Sequence, residues 1–333
     1  NGKQHTVTWH VDNLKSSHIN PKVNDEFLSW LKLKYASDEI SEIKAVRGKR
    51  HDYLAMTLDF TIPGVLQVDM TQYVKQMLQE FPEKLSGKTR CPWSETLFKV
   101  DEKSPKLSEG KRKIFHTFVM KGMFLCKRAR QDLLPGIVFF ATRVKDPNQQ
   151  DYIKLVKLMN YLKATEDEIP KMSADDSQTI KWYVDSSFAV HRDMRSHTGA
   201  IMTLGKGAII SDSTKQKVNA RSSTESTMIA VDDTISKLLW TKRFIEAQGF
   251  QVIANIVYQD NTSAMKLEVN GKSSLGKRTR HFDIKFFYFT DLIQRKEIKV
   301  KYCLTKEMIA DYMTKPTVGS KFIKFRDSIM DAG

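Results

Sequence analysis

The chain has 333 residues, of which 41% are hydrophobic and 28% charged, and 54 Lys and Arg against 39 Asp and Glu give a formal charge of +15. That length supports about two globular domains, and the steady recurrence of Leu, Ile, Val, Phe and Trp excludes a disordered chain. Fifteen Gly, nine Pro and three Cys exclude collagen-like and disulfide-scaffold classes, while so basic a balance points to a polyanion as partner, nucleic acid first.

Cys91, Cys126 and Cys303 are far apart and form no C-x-x-C pair, so they read as buried thiols of a reducing compartment rather than zinc ligands. The longest apolar stretch, Leu133 to Ala141, is interrupted by Pro135 and Gly136 and is too short to span a bilayer, so no membrane partner is expected. The chain opens at Asn1 with neither Met nor a basic-then-apolar leader. The expectation is a piece of a longer polypeptide or a trimmed start, not a secreted protein.

Residues 1 to 95 alternate strand and helix signals. Thr6 to Val11 is β-rich and runs into Asp12-Asn13, Val23 to Tyr35 has the helical spacing of Phe27, Trp30 and Leu31, and Tyr53 to Val68 predicts paired strands around Pro63-Gly64. Val74 to Phe81 predicts a short helix stopped by Pro82. From Leu107 to Thr165 the pattern is almost wholly helical, with Phe115, Phe118, Val119, Met123 and Phe124 on one side. The polar stretch Ala164 to Thr179 reads as a linker or as a solvated loop.

Beyond it the pattern is again mixed. Ile180 to Val184 is a strand ending in Asp185, and Gly199 to Ser211 predicts a hairpin about Leu204 to Gly207. Ser222 to Gly249 carries the strongest helix signal, with Met228, Val231, Ile235, Leu238, Leu239 and Ile245 in one stripe. Ile253 to Tyr258 is a strand, His281 to Gln294 an amphipathic helix and Ile298 to Cys303 another strand. A last helix is expected after Thr305, containing Asp311. Trp182, Trp240, Phe286 and Phe287 lie on apolar faces and read as core.

Four carboxylates fall where metal chemistry wants them. Asp185 and Asp260 end apolar strands, Glu225 lies in the first turn of the long helix and Asp311 in the first turns of the final helix. Hard divalent ions take oxygen ligands, and two ions about 3.5–4 Å apart can activate a water and stabilise the leaving oxygen of a phosphodiester. Each residue also has a structural reading: Asp185 as a turn residue, Glu225 as the partner of Ser222 in a capping box, Asp260-Asn261 as a cap, Asp311 as a solvated helix residue. The set and its order, more than any one residue, point to a metal site.

Those residues lie in motifs: Tyr183-Val-Asp-Ser-Ser-Phe188, Arg195-Ser-His-Thr-Gly199, Lys215-Gln216, Arg221-Ser-Ser-Thr-Glu225, Tyr258-Gln-Asp-Asn261, Arg278-Thr-Arg-His-Phe-Asp-Ile284 and Ala310-Asp-Tyr-Met-Thr-Lys-Pro316. In that order they resemble the RNase H domain of copia-type retrotransposon polyproteins. The resemblance implies an α/β (α+β) fold with a mixed five-stranded sheet and flanking helices over residues 171–318. It also implies cleavage of the RNA strand of RNA–DNA hybrids by two Mg2+ ions, with Mn2+ as an alternative, on Asp185, Glu225, Asp260 and Asp311. One departure is visible: the second acid of the family's S-S-T-E-A-E is Thr227 here.

The first part resembles the reverse transcriptase of the same polyproteins. Trp9-His-Val-Asp-Asn13 is similar to the Y-V-D-D turn of the palm, Tyr53-Leu-Ala-Met56 to the F-L-G-[IM] segment entering the thumb, and Arg128 to Phe140 with Asn160-Tyr-Leu-Lys163 to the helical connection. This implies a partial palm and thumb over 1–95, a connection over 96–170 and a basic tail over 319–333. Asn13 replaces the second aspartate, and the upstream palm strand and fingers are absent from this sequence, so Asp12 and Asn13 read as a vestigial polymerase motif. The resemblance places the chain in the cytoplasm, within a virus-like particle, or in the nucleus. Its implied partners are the hybrid and either the rest of the polyprotein or a second reverse transcriptase chain.

Lys272, Lys277, Arg278 and Arg280, with no acidic neighbour between Gly271 and His281, are the candidate phosphate contacts, with a solvated loop as the plainer reading. Lys127, Arg128 and Arg130, with Lys321, Lys324 and Arg326, extend the basic character as further candidates. His197 and His281 are each read as either functional or packing residues.

Overall fold

The computed structural model describes residues 3–36, 43–271 and 288–331. Strands β1 (Thr6–His10) and β2 (Asn13–Ser17) pair as a hairpin with Asp12 and Asn13 exposed at its turn. Helix α1 (Pro21–Tyr35) starts on Asn20, whose side chain accepts from the Lys22 amide, and on Pro21, pre-set for the first turn. No residue of α1 is buried. The paired strands predicted around Pro63-Gly64 are β4 (Met56–Asp59) and β5 (Val65–Asp69), and a second turn at Leu54 and Ala55 adds β3 (Arg50–Tyr53). Helix α2 (Thr71–Glu80) stops before Pro82 as predicted.

The helical region resolves into α3 (Glu109–Cys126), α4 (Leu134–Arg143) and α5 (Gln149–Ala164), the last opened by a reciprocal capping box between Asn148 and Asp151. The linker expected over 164–179 is corrected by the structure. Residues Lys171–Ala174 form β6, which pairs with β5 on one side and with β9 (Gly205–Lys206) on the other. Backbone pairing and the packing of Met172 against the main core outweigh the polar composition that suggested a linker. The close approach also explains Gly207: a Cβ there would lie 2.0 Å from the Lys171 carbonyl oxygen.

The second sheet comprises β7 (Thr179–Ser187), β8 (His197–Thr203), β10 (Ile210–Lys215), β11 (Ala254–Gln259) and β12 (Lys299–Tyr302), in the order β10-β8-β7-β11-β12. Neighbours β10, β8 and β7 are antiparallel, whereas β11 runs parallel to both β7 and β12. This is the mixed five-stranded sheet within an α+β fold that the resemblance implies. Helix α6 (Ser223–Ala247) covers one face, packing Ala230, Val231 and Leu238 over Trp182, Val184 and Val257. Trp182 is core as expected, but Trp240 is 60% exposed. Its ring stacks on Phe244, one turn on, along the outer face of α6. Helix α7 (Thr262–Asn270) follows β11, and α8 (Tyr288–Gln294) is the described part of the helix predicted from His281; His281, Phe286 and Phe287 lie outside the described residues.

The last predicted helix is shorter than its pattern. A single 3-10 turn at Thr305–Glu307 precedes α9 (Asp311–Thr314). The segment read as a basic tail is instead α10 (Gly319–Met330), whose Phe322, Phe325, Ile329 and Met330 are buried. Phe322, Phe325 and Ile329 join Phe115, Leu133, Phe140, Leu158 and Tyr161 of the helical region and Tyr312 and Met313 of α9 in one core. Among the described residues no helix is long and apolar enough to cross a membrane. The three cysteines are free, Cys126 and Cys303 buried and Cys91 half-buried.

Candidate metal centre

Two of the candidate carboxylates are set by strand register. In the parallel β7–β11 ladder Tyr183 pairs with Tyr258, and the two rings stack at 5.0 Å. Asp185 and Asp260 each follow two residues later, so period-2 alternation returns them to the same face at the same level of adjacent strands. Asp185 is buried and Asp260 half-buried.

The third carboxylate arrives from α9. Asp185 pairs across the β7–β8 ladder with Gly199, and a Cβ on Gly199 would lie 2.5 Å from the Thr314 methyl, 2.8 Å from Met313 Cβ and 2.9 Å from the Ala310 carbonyl oxygen. The missing side chain therefore lets α9 lie against β8. One carboxylate oxygen from each of Asp185, Asp260 and Asp311 then falls within 4.8 Å of the others.

Glu225 stands outside this group. Ser222 accepts from the Glu225 amide at 3.1 Å, and a Glu225 carboxylate oxygen accepts from the Arg221 amide at 2.7 Å. Of the capping box open to it in the sequence the Ser222 half forms, while its own carboxylate turns to the amide one residue before the cap. A side chain of α6 that meets the strand ends is Thr227. It accepts from Asn261 Nδ2 at 3.1 Å and lies 3.3 Å from Ser186 Oγ, the residues that directly follow Asp260 and Asp185.

Positive groups already engage the carboxylates. Lys315 Nζ is ion-paired with Asp311 and lies 3.4 Å from Asp185 Oδ2, Lys321 Nζ lies 2.6 Å from the other Asp311 oxygen, and Thr314 Oγ1 donates to Asp185 Oδ2 at 2.6 Å. Burial pushes the Asp185 carboxyl up to about 6, with Lys315 opposing. Burial would raise Asp311 too, but the two ammonium groups outweigh it and hold that carboxyl below its ordinary value. Lys321, a further basic candidate in the sequence, is thus committed to Asp311; Lys315 and Thr314 were given no role there, although the spacing of Asp311 and Lys315 by four residues was a visible signal.

His197 takes the packing reading. It is fully buried, 2.9 Å from His191 Nε2 and 2.7 Å from Ser213 Oγ, and Ser213 in turn donates to the Met313 carbonyl. Most of the additional basic candidates are committed elsewhere. Arg130 is buried on Asp132, Lys127 pairs with Asp212, the Arg128 guanidinium lies over the Phe124 ring, Lys324 pairs with Glu307 and Arg326 with Asp327 and Glu168. Arg130 is thereby removed as a phosphate contact. Lys272, Lys277, Arg278 and Arg280 lie outside the described residues. Among those residues Asp12 belongs to no group of three metal-donor side chains.

No protein-family model matches the chain. It is 26% identical over 262 residues to the retrovirus-related Pol polyprotein from transposon TNT 1-94 of Nicotiana tabacum, covering 77% of this chain and 20% of that protein. It is 26% identical over 201 residues to the corresponding polyprotein from transposon RE1 of Arabidopsis thaliana, covering 59% and 14%. With the transposon Ty1-JR2 Gag-Pol polyprotein of Saccharomyces cerevisiae the identity is 23% over 324 residues, covering 94% and 18%. The chain is thus similar to retrotransposon Pol and Gag-Pol polyproteins and spans a fifth or less of their length.

Proposed function

We propose that this chain is the RNase H-type nuclease portion of a copia-like retrotransposon polyprotein, cutting the RNA strand of RNA–DNA hybrids. The observation that carries the reading is the convergence of Asp185, Asp260 and Asp311 at one sheet edge. Three hard oxygen donors so close together fit Mg2+ or Mn2+, and no thiol or imidazole belongs to the group. Metal held there would supply a water made nucleophilic near neutral pH and positive charge beside the departing 3′ oxygen.

The residues of the chain do the positioning. Asp260 has no hydrogen-bond or ion-pair partner among the described residues and presents both oxygens. Asp185 is oriented by Thr314 and Asp311 by Lys321. Lys272, Lys277, Arg278 and Arg280 are proposed to meet the phosphates of the hybrid, a contribution that falls steeply with salt. DNA synthesis is not part of the proposal, because one exposed Asp12 beside Asn13 does not hold a pair of ions. The rest of the polyprotein, or a second reverse transcriptase chain, is the proposed partner.

Purified protein with Mg2+ should cleave the RNA of a labelled hybrid, and Asp185→Asn should reduce cleavage to background. Cleavage by the Asp185→Asn protein at the wild-type rate would remove the assignment. A second reading, a decayed remnant that binds hybrid without cutting it, is favoured by the neutral Thr227 at the strand ends and the capping role of Glu225. Metal-independent binding with no product would select it.

A further inference from the structure

Lys315 does more than neutralise a neighbour. Its ammonium group lies between two of the three clustered carboxylates, on Asp311 and on Asp185. The backbone around it is pinned: its amide donates to the Asp311 carbonyl at 2.9 Å, and its carbonyl accepts from Thr317 at 2.8 Å. Thr314, one residue before it, is hydrogen-bonded to Asp185. A cation on so short and fixed a tether has a high effective concentration at the cluster. Lys321 takes the second oxygen of Asp311, so both oxygens of that carboxylate are engaged by ammonium groups.

Charge then limits what else can enter. The three carboxylates carry three negative charges, and the two lysines return two of them. One divalent ion brings the cluster to +1 and a second would bring it to +3. No fourth carboxylate joins the group among the described residues, because Glu225 caps its own helix and Thr227 is neutral. Resting on the metal-site reading above, we propose that the Lys315 ammonium takes the place of one of two ions. The site then binds a single divalent ion, held chiefly by Asp260 and Asp185.

The test is calorimetric titration of the whole chain with MnCl2, supported by the electron paramagnetic resonance signal of free Mn2+ and by the shift of the thermal midpoint on adding metal. The wild type should bind one Mn2+ per chain. Lys315→Met should bind two, or one at least about tenfold more tightly, since a unit charge a few ångströms away is removed. Lys315→Arg, which keeps the charge, should bind one as the wild type does and serves as the folded reference should the Met variant unfold. Two Mn2+ on the wild type, or identical binding by the wild type and Lys315→Met, would overturn the proposal while leaving the metal site intact. No binding by any of the proteins would overturn the metal site itself.

Discussion

Single side chains decide the chemistry at the strand ends, and one buried pair near them gives a pH signature. His191 and His197 share a hydrogen bond beneath Phe98, and their burial, with Lys215 adding to it, holds them down to about 4 and about 3. An unfolded histidine takes up its proton near pH 6.5. The folded pair is therefore neutral where the unfolded chain is charged, and its stability is complete above about pH 7 and lost as pH falls through about 6.5 toward these values. Asp185, raised to about 6, and the fully buried Glu268, raised to about 7, act with the opposite sign over the same range, so the histidine contribution is read by removing one histidine. In urea unfolding, lowering the pH from 7.5 to 5 should destabilise the wild type more, or stabilise it less, than it does His197→Gln. The same change between the two pH values in both proteins would contradict the neutral, buried assignment.

At the scale of elements, the site depends on how α9 is carried. Its Tyr312 hydroxyl donates to the Asp132 carbonyl, and the Asp132 side chain is held by Arg130 at 2.8 and 2.9 Å and by the Tyr161 hydroxyl. Arg130 also donates to Thr165, so the turn before α4, the end of α5 and α9 meet at one buried ion pair. Removing one partner leaves an uncompensated buried charge, which costs about 3–5 kcal/mol. Asp132→Ala should lose that much stability in denaturant titrations, and loss of under about 1 kcal/mol would show that the pair is not the support described. The elements themselves were largely legible. The apolar stripe of α6, the strand ending in Asp185 and the stop at Pro82 follow from periodicity and from proline geometry. The strand β6, the burial of α10 and the place of Glu225 were not, because each is fixed by contacts distant in sequence: pairing to β5, packing on Tyr161 and Tyr312, and a choice between a cap and a cluster on the same first turn.

Across the whole molecule the asymmetry of charge has a local counterpart, since a chain with a formal charge of +15 brings three carboxylates together at one point and tethers lysines over them. The core that positions them runs through both the helical region and the final two helices. Strands from the first and middle thirds also share one sheet, through β5, β6 and β9. Fold and site are thus built together, and their meeting point is the edge where β7, β11 and α9 converge. Crystals grown with Mn2+ and measured for anomalous scattering test that edge most directly. A single strong peak is expected, bounded by Asp185, Asp260 and Asp311, with Lys315 still on Asp311. The absence of any peak there, in crystals diffracting well enough to show the three side chains, would contradict it.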